Sequence, residues 1–373
     1  MANKIAAVTL TGQKHKNRDI PCEDSSLAIS KNGVDVVVVA DGAGSKQYTH
    51  AKYGSKAATE AIAELFTEHF DAIYNENREA AIKTIVIAAV HVKFAALIEE
   101  FKLDSIERLS CTLLFVAVKD RRVIVGHLGD GLIVRVSSSG VSPLTMPQND
   151  LAGHTYFVTA NHAADYMRVV KTTTDDIHAI ALMSDGVQDS VYDENSGLVK
   201  PVVARMVETL KNGREEAEKE ISDIVDKYIV GGSNNSDDSS FGVLYIENTV
   251  APNSQGLPGN ADAFPRGTET FKDLQMLMVE DVKKAKKIIL DAANNEAPSE
   301  SKGDEDEDEV KSAEERVETK VSEEPVNESA KDTDADTKAP DSKSESKPKN
   351  TLAMIMTAIA VIELIVIVVL AIK

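Results

Sequence analysis

Tryptophan is absent, cysteine occurs twice and aromatic residues make up only 5% of the 373 positions. Two cysteines, Cys22 and Cys111, exclude a disulfide framework and fit a reducing compartment. The opening MANKIAAVTL has no basic stretch followed by an apolar one, so secretory export is not expected. Basic side chains are outnumbered 41 to 61, and a formal charge of -20 argues against any nucleic-acid partner. No GxxxxGK[ST] loop is present. Neither cysteine opens a CX5R loop, and Ser110 and Cys111 beside Thr112 read as strand residues. No aromatic residue follows Phe271, so the last hundred or so positions cannot build a conventional globular core.

From Asn294 to Asn350 there are 19 acidic and 9 basic residues, no Leu, no Ile, and the run GDEDEDE at Gly303 to Glu309. Such a segment buries too little apolar surface to offset its ordering entropy, and residues 294–350 are expected to form a disordered acidic linker. Thr351 to Ile372 is the opposite: 22 residues with one charge, Glu363. At about 1.5 Å per residue it spans roughly 33 Å, the thickness of a bilayer core, which predicts a single C-terminal transmembrane helix. Lys343, Lys347 and Lys349 before the span, against Lys373 after it, place the large N-terminal part on the cytoplasmic side. Glu363 falls near mid-span. It is either tolerated there as a neutral acid or paired with a polar group of a transmembrane partner.

The remaining chain, 42% hydrophobic residues in the whole, is rich enough to bury a large core. Strands are predicted at Val34 to Ala40, Thr112 to Val118, Arg122 to Gly129, Gly131 to Val136, Thr155 to Ala160, His178 to Ser184 and Phe241 to Ile246. Helices are predicted at Thr49 to Phe70, Arg78 to Phe101 and within Lys200 to Tyr228. The short turn at Gly129 to Gly131 implies that its two flanking strands pair antiparallel. Residues 1–250 thus form one domain, and 251–293 a loop followed by an amphipathic helix from Thr268. Its Lys283, Lys284, Lys286 and Lys287 leave two readings open: a contact with acidic lipid, or a helix packed on the domain with a solvated face.

Acidic residues recur beside small ones at strand ends: Asp41 in VVVVADGAGS, Asp130 in VGHLGDG, Asp185 in ALMSDGV, and the pair Asp237 and Asp238 in NNSDDSS. One Asp-Gly at a strand end is ordinarily a turn. Four such sites at strand ends gather carboxylates that repel one another unless a divalent cation lies among them. Hard oxygen donors without clustered His or Cys suit Mg2+ or Mn2+ rather than Zn2+. His127, mid-strand among apolar neighbours, reads as structural. No second Asp stands two positions after Asp41, which excludes an aspartyl-phosphate mechanism.

Taken in order, Glu23-Asp24, DGAGS at Asp41, GDG at Gly129, SDGVQD at Ser184 and DDSS before FGVLYI resemble the metal-dependent protein serine/threonine phosphatases of type 2C. The likeness runs from about Ile5 to Ile246, and NDLAGHTYFVT at Asn149 resembles the segment that leads into the flap of the bacterial subgroup. The resemblance implies an α/β fold of the α+β type, with two antiparallel sheets packed as a sandwich, helices outside and the site at one end. It further implies two Mn2+ or Mg2+ ions with room for a weaker third, held by Asp41, the Gly42 carbonyl, Asp185 and Asp237, with Asp130 at the third. Glu23 and Asp24 would hold metal-bound water. The implied reaction is hydrolysis of phosphoserine and phosphothreonine in phosphorylated proteins, opposing a serine/threonine kinase.

Two positions depart from the family pattern. Ala43 stands where many eukaryotic members carry a histidine after the DG, and Asp19 stands where a phosphate-binding arginine is usual. Arg18 and His15 are the candidates to take that arginine's place. The alternative function is a membrane-anchored pseudophosphatase that binds phosphoproteins without turnover, which loss of a core aspartate would have favoured.

Overall fold

The computed structural model describes residues 3–149, 153–234, 236–247 and 268–294. In chain order the elements begin with β1 (Lys4–Leu10), α1 (Gln13–Arg18), β2 (Ser25–Lys31), β3 (Val34–Ala40), α2 (Ala51–Asn75) and α3 (Glu79–Phe101). There follow β4 (Leu113–Lys119), β5 (Arg122–Leu128), β6 (Leu132–Ser137), β7 (Gly140–Thr145), α4 (Ala163–Tyr166), β8 (Arg168–Thr173), β9 (Ala179–Met183) and α5 (Asp185–Val191). The last are the two-residue strands β10 (Tyr192–Asp193) and β11 (Leu198–Val199), then α6 (Val202–Glu208), α7 (Arg214–Tyr228), β12 (Ser239–Tyr245) and α8 (Phe271–Asn294).

Two five-stranded antiparallel sheets carry the fold, in the orders β1-β12-β9-β6-β7 and β2-β3-β4-β5-β8. The valine run of β3 explains why they stack. Val36 and Val38 point to one face and join α2 and α3 in a single cluster, with Phe66, Phe70, Val86 and Phe94. Val37 and Val39 point to the other and meet Ile180, Leu182 and Leu244 of the opposite sheet. A strand buried on both faces needs no alternation of polar and apolar residues. On the far side of the first sheet, Ala181, Met183, Phe241 and Val243 pack against Met206 of α6 and Ile221 and Val225 of α7. The layers are therefore helix, sheet, sheet, helix.

The expected hairpin across Gly129 to Gly131 does not form. β5 pairs with β4 and β8, whereas β6 pairs with β7 and β9, so the turn carries the chain from one sheet to the other. The antiparallel arrangement holds, but through other pairs. The strand expected at Thr155 to Ala160 is also absent. Thr155 makes one bridge, to Asn149, and Val158 donates a single backbone bond to Cys111, after which the chain turns into α4.

Helix α8 packs along α3, with Leu274 fully buried and Phe271, Ala285 and Ala292 nearly so. Just before it, Glu269 Oε1 accepts a bond of 2.9 Å from His69 Nδ1, at the residue where α2 loses helical geometry. Lys283, Lys284 and Lys287 are exposed on the outer face. All of this belongs to one compact unit, Met1–Ala297. The acidic linker, the apolar run at Thr351 to Ile372 with Glu363, and the loop 251–267 lie outside the described residues.

Candidate active site

Both sheets contribute carboxylates to one end of the sandwich. Asp41 follows β3 of the second sheet. Its N–H donates to Thr112 Oγ1 at 3.0 Å and its carbonyl accepts from the Thr112 N–H at 2.8 Å, so the backbone on both sides of the carboxylate is fixed. Gly42 forms a bridge with Cys111, and a Cβ there would lie 2.4 Å from the Glu23 carbonyl oxygen, so only glycine permits this approach. Asp185 opens α5 directly after β9 of the first sheet, and its Oδ1 accepts the Gly186 N–H at 2.6 Å. Asp130 sits in the crossing turn and accepts a short hydrogen bond from the Thr155 hydroxyl. His127 secures that turn. Fully buried, it donates Nε2–H to the Gly129 carbonyl at 3.0 Å and accepts the Thr145 hydroxyl proton at Nδ1, 2.6 Å away. Burial pushes its pKa down to about 3, so it is a neutral structural histidine.

Asp24 precedes β2 and is buried. The Ser184 hydroxyl donates to its Oδ2 at 2.9 Å, while Oδ1 is buried without a partner. Burial, then the charges of Asp185 and Asp238, push Asp24 up to about 8. Burial, then Asp24 and Asp185, raise Asp41 well above the usual carboxylate range. Burial pushes Asp185 up to about 6, against a hydrogen bond from Asp41 that lowers it and the charge of Asp130 that raises it. Asp130 and Glu23 are raised by burial too. No lysine or arginine is among the strongest influences on Asp24, Asp41, Asp130 or Asp185.

These groups are all hard oxygen donors, mutually repelling, with one orphaned oxygen, and that donor chemistry fits Mg2+ or Mn2+. Among the described residues no three His, Cys, Asp or Glu side chains already close on one point as a finished ligand set. Side-chain adjustment would have to accompany binding of an ion.

The remaining site candidates divide sharply. Asp237 is half-exposed at the rim, its Oδ2 3.1 Å from Lys14 Nζ. His15 is buried beside Glu23 and Asp237, at 3.8 Å and 4.0 Å from their carboxylates. Arg18 lies exposed at the C-terminal end of α1, with no hydrogen bond or ion pair among the described residues. Both cysteines have thiol pKa values raised by burial, which leaves them unreactive. Sequence reasoning placed Asp238 among the gathered carboxylates without a role of its own, and assigned none to Ser184, Thr155 or Thr112. Asp189, the last residue of SDGVQD, is also raised by burial and by Asp130. The doubled Asp237-Asp238 was the one visible signal for the first of these.

A family model described as protein phosphatase 2C matches residues 11–226. No curated protein matches the sequence. Among solved structures, the catalytic domain of serine threonine protein phosphatase PstP in complex with two manganese ions is 17% identical, with a TM-score of 0.46 over 66% of this chain and 99% of that one. The Mycobacterium tuberculosis phosphatase PstP/Ppp is 15% identical, with a TM-score of 0.47 over 66% and 100%. Stp1 from Staphylococcus aureus is 16% identical, with a TM-score of 0.46 over 66% and 96%.

Proposed function

The chain belongs to the protein phosphatase 2C family of serine/threonine phosphatases, and from that premise we propose that it hydrolyses phosphoserine and phosphothreonine in proteins with divalent cations held by its buried carboxylates. The observation that carries this reading is the set Asp24, Asp41, Asp185 and Asp130, all raised by burial, the first three also by neighbouring carboxylates, with no lysine or arginine among the strongest influences on any of them. Asp41, the Gly42 carbonyl, Asp185 and Asp237 would hold two Mn2+ or Mg2+ ions, and Asp130 a weaker third. Bound there, such ions act as Lewis acids, lowering the pKa of the attacking water and neutralising charge on the phosphoryl oxygens.

The protein's own groups orient and confine. Thr112 fixes the backbone of Asp41, Thr155 holds Asp130, and Ser184 holds Asp24 with one oxygen turned inward. Glu23 and Asp24 would orient water, and His15 faces the position a phosphoryl group would take between Glu23 and Asp237. His15 is favoured over Arg18 for that contact because it is buried at the site while Arg18 is exposed.

We further propose that residues 351–372 tether the phosphatase to the cytoplasmic face of a membrane, opposite a kinase acting there. The test of function is turnover of a phosphothreonine peptide by the full-length chain with Mn2+, abolished by EDTA and restored by added Mn2+. Phosphopeptide binding without turnover under saturating Mn2+ would favour the pseudophosphatase instead.

A further inference from the structure

The segment 155–159 joins two parts of the site. At one end the Thr155 hydroxyl donates to Asp130. At the other, the Thr159 and Ser110 hydroxyls share a bond of 2.6 Å, and the Val158 N–H donates to the Cys111 carbonyl at 2.9 Å. Ser110 and Cys111 are in turn tied to the loop after β3: the Ser110 carbonyl accepts the Ala43 N–H at 3.0 Å, and Cys111 bridges Gly42. Thr155 to Thr159 is thus a strap that runs from the crossing turn to the backbone beside Gly42.

A side chain of the helical layer reaches this strap. His91, midway along α3, has Nε2 2.8 Å from the Val158 carbonyl oxygen. A carbonyl can only accept, so Nε2 carries a proton and the bond is made by the neutral and the charged ring alike. Burial lowers the pKa of His91, and the charge of Lys286 on α8 adds to that effect. The ring also stacks on Phe94, itself fully buried, with 6.4 Å between centroids. Val158 is fully buried too, and its N–H and carbonyl are paired with Cys111 and His91. The second of these bonds comes from a side chain, so one substitution removes it and leaves the backbone sequence of the strap intact.

We propose that His91 is a positioning residue: by holding the Val158 carbonyl it keeps Thr155 against Asp130, and so fixes the carboxylate assigned to the weakest of the cations. For the cation the proposal rests on the phosphatase reading above, and for the strap on geometry alone. A histidine that merely fills the junction of α3 with the core would contribute stability without altering cation affinity.

Electron paramagnetic resonance of free Mn2+, titrated against the full-length chain, separates the two roles and needs no turnover. His91→Leu should weaken the weakest bound Mn2+ about tenfold and leave the tighter ones within about twofold. The Mn2+ needed for half-maximal turnover of a phosphothreonine peptide should rise by a similar factor, with KM for the peptide little changed. In His91→Gln the side-chain amide can donate to the same carbonyl, so both quantities should return to within about twofold of wild type. In a Thr155→Val background, His91→Leu should add less than about twofold, because its effect passes through Thr155. Hydrogen exchange in EDTA should show residues 153–160 of His91→Leu exchanging at least about tenfold faster while β3 and β4 stay as in wild type. Wild-type Mn2+ binding in His91→Leu, whatever its melting temperature, would make the histidine structural and overturn the proposal. So would equal effects with and without Thr155. If binding shifts as expected but wild type itself turns over no phosphopeptide, the hold on Asp130 stands and the phosphatase reading fails.

Discussion

Asp41 and Asp185, each just past a strand and one in each sheet, bring half-buried carboxyls together from opposite sheets, and desolvation raises both above the usual carboxylate range. Raised carboxyl pKa values are the expected response of desolvated acids that face one another with no cation between them. On the proposed ligand set, Asp185→Asn should lower turnover by at least about a hundredfold under saturating Mn2+, since it would remove a charged ligand where charge neutralisation lowers the barrier. In EDTA its melting temperature should be unchanged or higher, because the amide removes one charge from a cluster of mutually repelling carboxylates. Near-wild-type turnover in this variant, measured beside the melting curve, would remove the two-cation assignment.

The same groups set a pH dependence of the cation-free protein. Asp24 is raised to about 8 and Asp185 to about 6 in the folded state, against ordinary carboxylate values near 4 when unfolded. For a raised group the folded state binds the proton more tightly, so the stabilisation is complete below the unfolded value and is lost as pH rises through the folded one. Melting temperature in EDTA should fall between about pH 5 and pH 8. Saturating Mn2+ should flatten that slope by taking the proton's place. A melting temperature that rises across this window in EDTA would show that these carboxyls are charged and compensated in some other way.

Leu274 tests whether α8 is part of the folded domain. It is fully buried against the α3 side of the core, and truncation to alanine should cost about 2–4 kcal/mol. Turnover at room temperature should be retained, because the side chain lies in the helical layer and not among the carboxylates. Urea unfolding of Leu274→Ala decides it: an unchanged midpoint would mean the helix is only loosely applied.

Membrane fractionation addresses the tether. Deleting residues 351–372 should move the phosphatase to the soluble fraction, whereas Glu363→Leu should keep it in the membrane and make the span more apolar. If proteins that co-purify in detergent with wild type are lost in Glu363→Leu, the carboxyl meets a polar group on a partner helix. Equal recovery would place partner choice elsewhere in the chain.

The strands legible in the sequence were those flanked on both sides. β3, β4, β5, β6, β9 and β12 are the six interior strands, and continuous apolar runs announced every one. β1, β2, β7 and β8 are the four edges. Their sequences mix lysine, serine, threonine and, in β7, proline, because an edge that faces solvent need not be apolar. The turn at Asp130 departs from the expected hairpin for a related reason: a short Gly-Asp-Gly connection specifies a change of direction but not which sheet receives the next strand. At the site, Asp-Gly pairs at strand ends pointed to Asp41, Asp130 and Asp185. Which member of Asp237-Asp238 turns inward could not be read, since that depends on where α1 presses on the loop.

The order of strands also dictates a history for each molecule. Every strand of the second sheet lies between Ser25 and Thr173, so that sheet can be complete while the chain is still being made. The first sheet cannot: β12, the last strand among the described residues, must slot between β1, the first, and β9. Asp41 and Asp130 thus wait for Asp185, and all three wait for the segment that brings Asp237 and Asp238. A ribosome-bound chain halted before Ser239 should therefore turn over no phosphopeptide, because its first sheet still lacks the strand that joins β1 to β9.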